Sequence, residues 1–195
     1  MIVTNDPLEL RQKFETDTLP LHKIIFIEVM LIFLVGYMGC GKTTFGRKLA
    51  AELGWQFADL DELIEERYKI SIHDFFVKYG EESFRRIENM MLREQLTKHR
   101  IIVSTGGGTP CFYNNMELMN RYGVTVFLNT PVPVLVQRLL NGKRKRPLVM
   151  GLGIDELTLK INQHLAQRIV YYNQAKYKIS LDEQIPDFVK VRLGL

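Results

Sequence analysis

LIFLVGYMGCGKTTFGRK (residues 31–48) joins an apolar run, a glycine-rich turn and a helical pattern. Leu31 to Val35 read as a buried strand. Gly36 follows, then four residues, then Gly41-Lys42-Thr43. This is the G-x-x-x-x-G-K-[ST] phosphate loop, set between a strand and a helix as it must be. Glycines at 36, 39 and 41 let the backbone turn tightly and aim successive N–H groups inward. The helix start adds the positive end of its dipole, so donors and field hold a polyphosphate together. Gly39, Cys40, Gly41, Lys42, Thr43 and Thr44 are therefore expected to bind nucleotide, with Lys42 at the β- and γ-phosphates and the Thr43 hydroxyl on Mg²⁺. A glycine-rich turn that binds nothing fits this flanking context poorly.

Beyond the loop, strand and helix patterns alternate, as in an α/β fold with a mainly parallel sheet and helical crossovers. Strands are expected at 31–35, 55–58, 101–104, 124–128 and 177–181. Helices are expected at 42–53, ended by Gly54, at 60–68, after a Ser71 cap, at 80–97, at 132–140 behind Pro131, from an Asp155 cap to about 174, and at 186–193. In such a sheet, ligands gather outside the carboxyl ends of the strands. Three polar signals fall there: the phosphate loop, Asp59-Leu60-Asp61, and Gly106-Gly107-Gly108.

Asp59 and Asp61 are two residues apart, so in extended backbone both side chains point the same way. A Mg-nucleotide kinase needs a carboxylate near the metal and a group to orient the attacking hydroxyl. One of the pair acting as a cap for the helix at Leu60 is the alternative. Arg85 stands on the shoulder of the apolar stripe Phe84, Ile87, Met91 and Leu92, with Glu88 three residues on to hold it; a surface ion pair is the competing explanation. Arg86 is the solvent-facing neighbour. Arg168 continues the inward line of Leu157, Ile161 and Leu165, ahead of Tyr172. A cation there meets either a buried acid or a ligand carboxylate or phosphate. The triple glycine lets the chain pass close to a bound molecule and offer N–H donors. The basic segment 141–153, with glycine near both ends, has the makings of a closing lid in which Arg146 braces the transferring phosphoryl group.

With 195 residues, 46% hydrophobic and 25% charged, a single globular domain is the default. No run approaches the ~18 apolar residues of a membrane span. Two cysteines, Cys40 and Cys111, give neither a disulfide framework nor metal spacing, so a cytoplasmic setting is expected. The net charge of +4 is concentrated in Arg138, Lys143, Arg144, Lys145 and Arg146, which suits a small phosphorylated ligand better than a nucleic-acid track. His22, His73, His99 and His164 show no metal or nucleophile spacing. Residues 1–29 carry five acids against three bases and read as a poorly ordered extension, with the kinase domain at 30–195.

These pieces, in this order, resemble the shikimate kinase family from Met30 to about Leu181. The resemblance is carried by GYMGCGKTT (36–44), FADLDELIE (57–65), GEESFRRIE (80–88), VSTGGG (103–108), KRPLV (145–149) and Arg168 ahead of Tyr171-Tyr172. It implies a P-loop, nucleoside-monophosphate-kinase-like three-layer sandwich with a five-stranded parallel sheet and a lid. It implies transfer of phosphate from ATP, with Mg²⁺, to the 3-hydroxyl of shikimate, toward chorismate and the aromatic amino acids. By the same resemblance Asp59 holds magnesium through water, and Asp61 binds substrate hydroxyls and is the candidate base. Arg85 and Arg168 grip the carboxylate, while Gly106, Gly107 and Gly108 line the ring. Arg146 contacts phosphates, and Arg138 answers to an arginine that packs on adenine. Leu60 replaces a serine common between the two acids, Cys40 a smaller residue, and RPLV the usual RPLL; residues 1–29 have no counterpart. A monomer acting on a small molecule is expected, with neither nucleic acid nor membrane as partner. A gluconate-type kinase and a nucleotide-binding module without turnover are the rival functions.

Overall fold

The computed structural model describes residues 30–142 and 152–195. The expectations for 1–29, for Arg146 and its basic neighbours, and for most of the lid lie outside those residues. Five strands are found: β1 (Leu31–Val35), β2 (Gln56–Asp59), β3 (Ile101–Ser104), β4 (Val124–Leu128) and β5 (Tyr177–Ile179). They form one sheet in the order β2-β3-β1-β4-β5, every pairing parallel. Register places Leu31 beside Ile101 and Ile32 beside Val124, so β1 is the central strand. Helices cover both faces of such a sheet, which is why its inner strands are buried at every position rather than at alternate ones. All five residues of β1 are fully buried.

The helices are α1 (Lys42–Leu53), α2 (Leu60–Tyr68), α3 (Ile72–Gln95), α4 (Asn115–Tyr122), α5 (Val132–Leu140), α6 (Ile154–Tyr172) and α7 (Pro186–Leu193). Gly54 closes α1 at φ 64°, and Ser71 caps α3 through Asp74 N–H at 3.0 Å, both as expected. Inside α3, Gly80 sits at φ 77° and ψ 170°, so the span is two helices meeting at a glycine kink. That kink turns 81–95 onto the core, burying Phe84, Met91 and Leu92 and leading Arg85 inward.

Several boundaries differ from expectation. β2 runs one residue later, because Trp55 N–H is taken by Ala50 O while Gln56 N–H goes to Arg100 O beside β3. Asp155 does not cap α6: Gly153 does, and its N–H donates to Glu156 Oε2 at 3.1 Å. β5 stops at Ile179, where Ser180 turns the chain by bonding Glu183. The eight-residue α4 and the single 3-10 turn Thr109–Cys111 had no sequence counterpart.

Candidate active site

The phosphate loop lies at the carboxyl end of the central strand. Gly36, Gly39 and Gly41 take φ values of 142°, 83° and 107°, conformations that a side chain would strain, and the turn feeds directly into α1. Lys42 is buried and folds back along the loop, its Nζ donating to Gly36 O at 2.8 Å and Tyr37 O at 3.1 Å. Its ammonium thus sits over the loop, where a polyphosphate would be. Cys40 is a buried filler within the turn, and Thr44 faces solvent. Arg138, exposed on α5, donates to the carbonyls of Gly39 and Cys40 at 3.2 and 3.0 Å. Thr130 and Gln184, which sequence reasoning passed over, brace the same wall: Gln184 donates to Thr130, whose hydroxyl donates to Cys40 O, each at 3.3 Å.

Asp59 caps a helix, the alternative weighed for it, and also reaches the phosphate loop. Its Oδ1 accepts from the N–H groups of Asp61 and Glu62, capping α2, while Oδ2 accepts from Thr43 Oγ1 at 2.7 Å. A hydroxyl and a carboxylate oxygen this close suit a hard, oxygen-seeking divalent cation that takes its remaining ligands from phosphate and water. Among the described residues no group of three or more His, Cys, Asp or Glu could hold a metal.

Three consecutive glycines after β3 gather the remaining groups. A methyl on Gly106 would run into Glu88 Oε1 and lie 3.1 Å from Asp61 Oδ1. One on Gly107 would lie 3.2 Å from Met38 N of the phosphate loop and 3.7 Å from Arg168 Nη1. One on Gly108 would stand 2.6 Å from Arg85 Nη2. Side chains at Gly106 and Gly108 would displace Glu88 and Arg85, and the chain brings the acid, both arginines and the loop against adjoining residues.

Arg85 is buried against Glu88, which is itself 1% exposed, through Nη1 to Oε2 at 2.8 Å. Glu81 accepts from its Nε and Nη2 at 3.2 and 2.9 Å, and the Phe112 ring packs 4.5 Å away. Burial alone would lower the Arg85 pKa; the two carboxylates outweigh it and raise the pKa above the usual value. Glu88 is held in turn by the Thr109 hydroxyl. Arg86 is exposed on the other side, paired with Glu82.

Arg168 has a different environment. It forms no ion pair among the described residues; its guanidinium lies over the Tyr37 ring, 5.7 Å from the centroid. The buried-acid alternative is not what is found. Tyr172, fully buried one turn further along α6, donates to Gly107 O at 2.5 Å and ties the helix to the triple glycine. Burial pushes the Tyr172 phenol well up. Burial likewise raises the Cys111 thiol to about 11, against the lowering fields of Arg168 and Arg85. Glu81, four residues before Arg85 on the same helix, could have been found from its spacing; Thr109, Phe112 and the Tyr172 hydroxyl could not, because each depends on which loop folds over the helix.

A family model described as shikimate kinase matches residues 38–190. The shikimate kinase of Azobacteroides pseudotrichonymphae genomovar. CFP2 is 49% identical over 145 residues, covering 74% of this chain and 85% of that protein. That of Bacteroides thetaiotaomicron is 48% identical over 152 residues, covering 78% and 87%. Among solved structures, a 1.7 Å crystal structure of the B. thetaiotaomicron enzyme superposes with a TM-score of 0.82 at 42% identity, over 85% of this chain and 99% of that one. Shikimate kinase from Acinetobacter baumannii in complex with shikimate gives a TM-score of 0.77 at 33% identity, over 88% and 97%.

Proposed function

This chain belongs to the shikimate kinase family, and we propose from that premise how its residues divide the work. The protein is a small-molecule kinase that transfers a phosphoryl group from ATP to the 3-hydroxyl of shikimate, a step of aromatic amino acid biosynthesis. The loop amides of 39–44 and Lys42 receive the triphosphate, Lys42 exchanging its carbonyl partners for phosphate oxygens. Arg138, already on the loop wall, lies on the nucleotide side. Thr43 and Asp59 are the residues that would hold Mg²⁺, Asp59 through water; the ion would supply neutralisation of phosphate charge. Asp61, beside Gly106, orients the 3-hydroxyl and takes its proton. Arg85 and Arg168 receive the shikimate carboxylate, and Gly106, Gly107 and Gly108 line the ring. Arg146, in the lid of about 141–153, completes the neutralisation of the transferring group.

The observation that carries this assignment is the meeting at Gly106–Gly108 of Asp61, Arg85, Arg168 and the phosphate loop. A small acid bearing hydroxyls matches two guanidinium groups and a carboxylate better than a nucleobase does. Catalysis then consists of positioning and charge neutralisation around an in-line transfer. We further place the protein in the cytoplasm as a monomer, with no nucleic acid or membrane as partner; Cys40 and Cys111 are free thiols. Among the described residues no helix is long and apolar enough to cross a membrane. Residues 1–29 are taken as an extension outside the kinase domain at 30–195, and a chain starting at Met30 that keeps full activity and stability would support this.

A coupled ADP-release assay tests the proposed reaction. Turnover is expected with shikimate and not with gluconate or nucleoside monophosphates. Turnover with gluconate instead, or ATP binding without any shikimate-dependent turnover, would overturn it.

A further inference from the structure

Tyr37 is the second residue of the phosphate loop and also the surface under Arg168. Its hydroxyl meets His164 Nδ1 at 2.9 Å, linking two residues 127 apart in sequence. His164 and Arg168 are four apart on α6, so they stand one above the other on the same helix face. The histidine ring lies 6.2 Å from the tyrosine ring at 45°, and the Arg168 guanidinium lies 5.7 Å from that same ring. A loop that holds phosphate is thereby joined, through one side chain, to the cation assigned to the substrate carboxylate.

The Tyr37 ring is buried at the edge of an open space. It is 1% exposed, yet it borders a cavity of about 190 Å³ whose walls include Cys40, Leu135, Leu165 and Ile169. The hydrogen bond between its hydroxyl and His164 is one of the contacts that hold the ring beside that space. Burial, then the charges of Arg168 and Lys160, lower the His164 pKa, which favours the neutral ring. A neutral imidazole with its hydrogen on Nε2 accepts the Tyr37 proton at Nδ1.

We propose that Tyr37 and His164 are positioning residues, which set Arg168 against the phosphate loop and so govern the enzyme's affinity for the substrate carboxylate. This rests on the assignment of Arg168 to that carboxylate. Losing the hydrogen bond lets the ring and the guanidinium above it shift while the loop amides stay in place. The effect then falls on the acid substrate and not on the nucleotide.

The test is steady-state kinetics on the full chain, with thermal midpoints recorded for every variant. Tyr37→Phe keeps the ring and drops the hydroxyl; His164→Leu drops the acceptor; His164→Asn keeps an acceptor near the Nδ1 position. Tyr37→Phe and His164→Leu are each expected to raise the shikimate KM about three- to ten-fold, the usual range for one hydrogen bond. The ATP KM and kcat should stay within about two-fold. The double variant should be no worse than the worse single one, since both remove one bond, and His164→Asn should recover most of the loss. A shikimate KM unmoved in Tyr37→Phe, or an ATP KM that rises by the same factor, would overturn the proposal. Wild-type enzyme silent toward shikimate would instead defeat the assignment beneath it, so the two failures can be told apart.

Discussion

Thr43 Oγ1 donates to Asp59 Oδ2 across 2.7 Å, tying the first turn of α1 to the end of β2. The other oxygen of that carboxylate caps α2 through Asp61 and Glu62 N–H at 3.1 and 3.4 Å. One side chain thus couples a helix start to the hydroxyl assigned to the metal. Asp59→Asn keeps an oxygen for the cap but loses the charge. At saturating ATP its turnover is expected to fall at least about ten-fold, while the thermal midpoint barely moves. Asp59→Ala should lose turnover and also about 1 kcal/mol of stability, the ordinary cost of a lost cap. Kinetics against magnesium concentration, paired with urea unfolding, separate the two effects.

The buried pair Arg85–Glu88 predicts a stability effect. With Glu88 at 1% exposure and Arg85 at 8%, removing the acid leaves a buried cation balanced only by Glu81, whose side chain is 57% exposed. Glu88→Ala is expected to cost about 3–5 kcal/mol in urea unfolding, as breaking a buried ion pair does. Glu82→Ala, which breaks the exposed pair to Arg86, should change stability by no more than about 0.5 kcal/mol. Similar costs for both would contradict the buried geometry.

These consequences were unevenly visible in the chain's letters. The glycines and lysine of the phosphate loop act through their own backbone and immediate neighbours, so spacing alone located them. The inward line of Leu157, Ile161, Leu165, Arg168 and Tyr172 was likewise a local helical period. What Arg168 and Tyr172 touch was not local. Tyr37 lies 127 residues from His164, and Gly107 lies 65 residues from Tyr172. The α4 helix went unseen because only Asn115, Met116 and Met119 are buried in its eight residues, too few to make a period. At α6, Asp155 has the chemistry of a cap, yet the Gly153 N–H bonded to Glu156 starts the helix two residues sooner.

Gly108 predicts a kinetic effect that falls on the acid substrate. A methyl there stands 2.6 Å from Arg85 Nη2 and 2.7 Å from Nη1, so the guanidinium must move. Gly108→Ala is expected to raise the shikimate KM at least about ten-fold with little change in the ATP KM. Gly153→Ala, whose nearest neighbour among the described residues would be 3.8 Å away, serves as the tolerated control.

The thiols give a pH-linked prediction. Burial raises the Cys111 pKa from 9.0 to about 11, which favours the protonated, unreactive form. At pH 8 the thiolate is then about one part in a thousand, against about one in ten for an unshifted group. Cys40 is 1% exposed. Native protein should therefore react with a thiol reagent at pH 8 far more slowly than the same chain in guanidinium chloride, where both thiols titrate at once. A fast phase of one thiol in the native protein would contradict the burial.

The division of the crevice into a nucleotide half and an acid half is tested most directly by Arg168→Ala in the coupled ADP-release assay, with shikimate and ATP varied separately. The expected result is a shikimate KM raised at least about a hundred-fold, as loss of a charge-assisted contact implies, with the ATP KM within about two-fold of wild type. An ATP KM that collapses by the same factor, or a shikimate KM that does not move, would contradict the account.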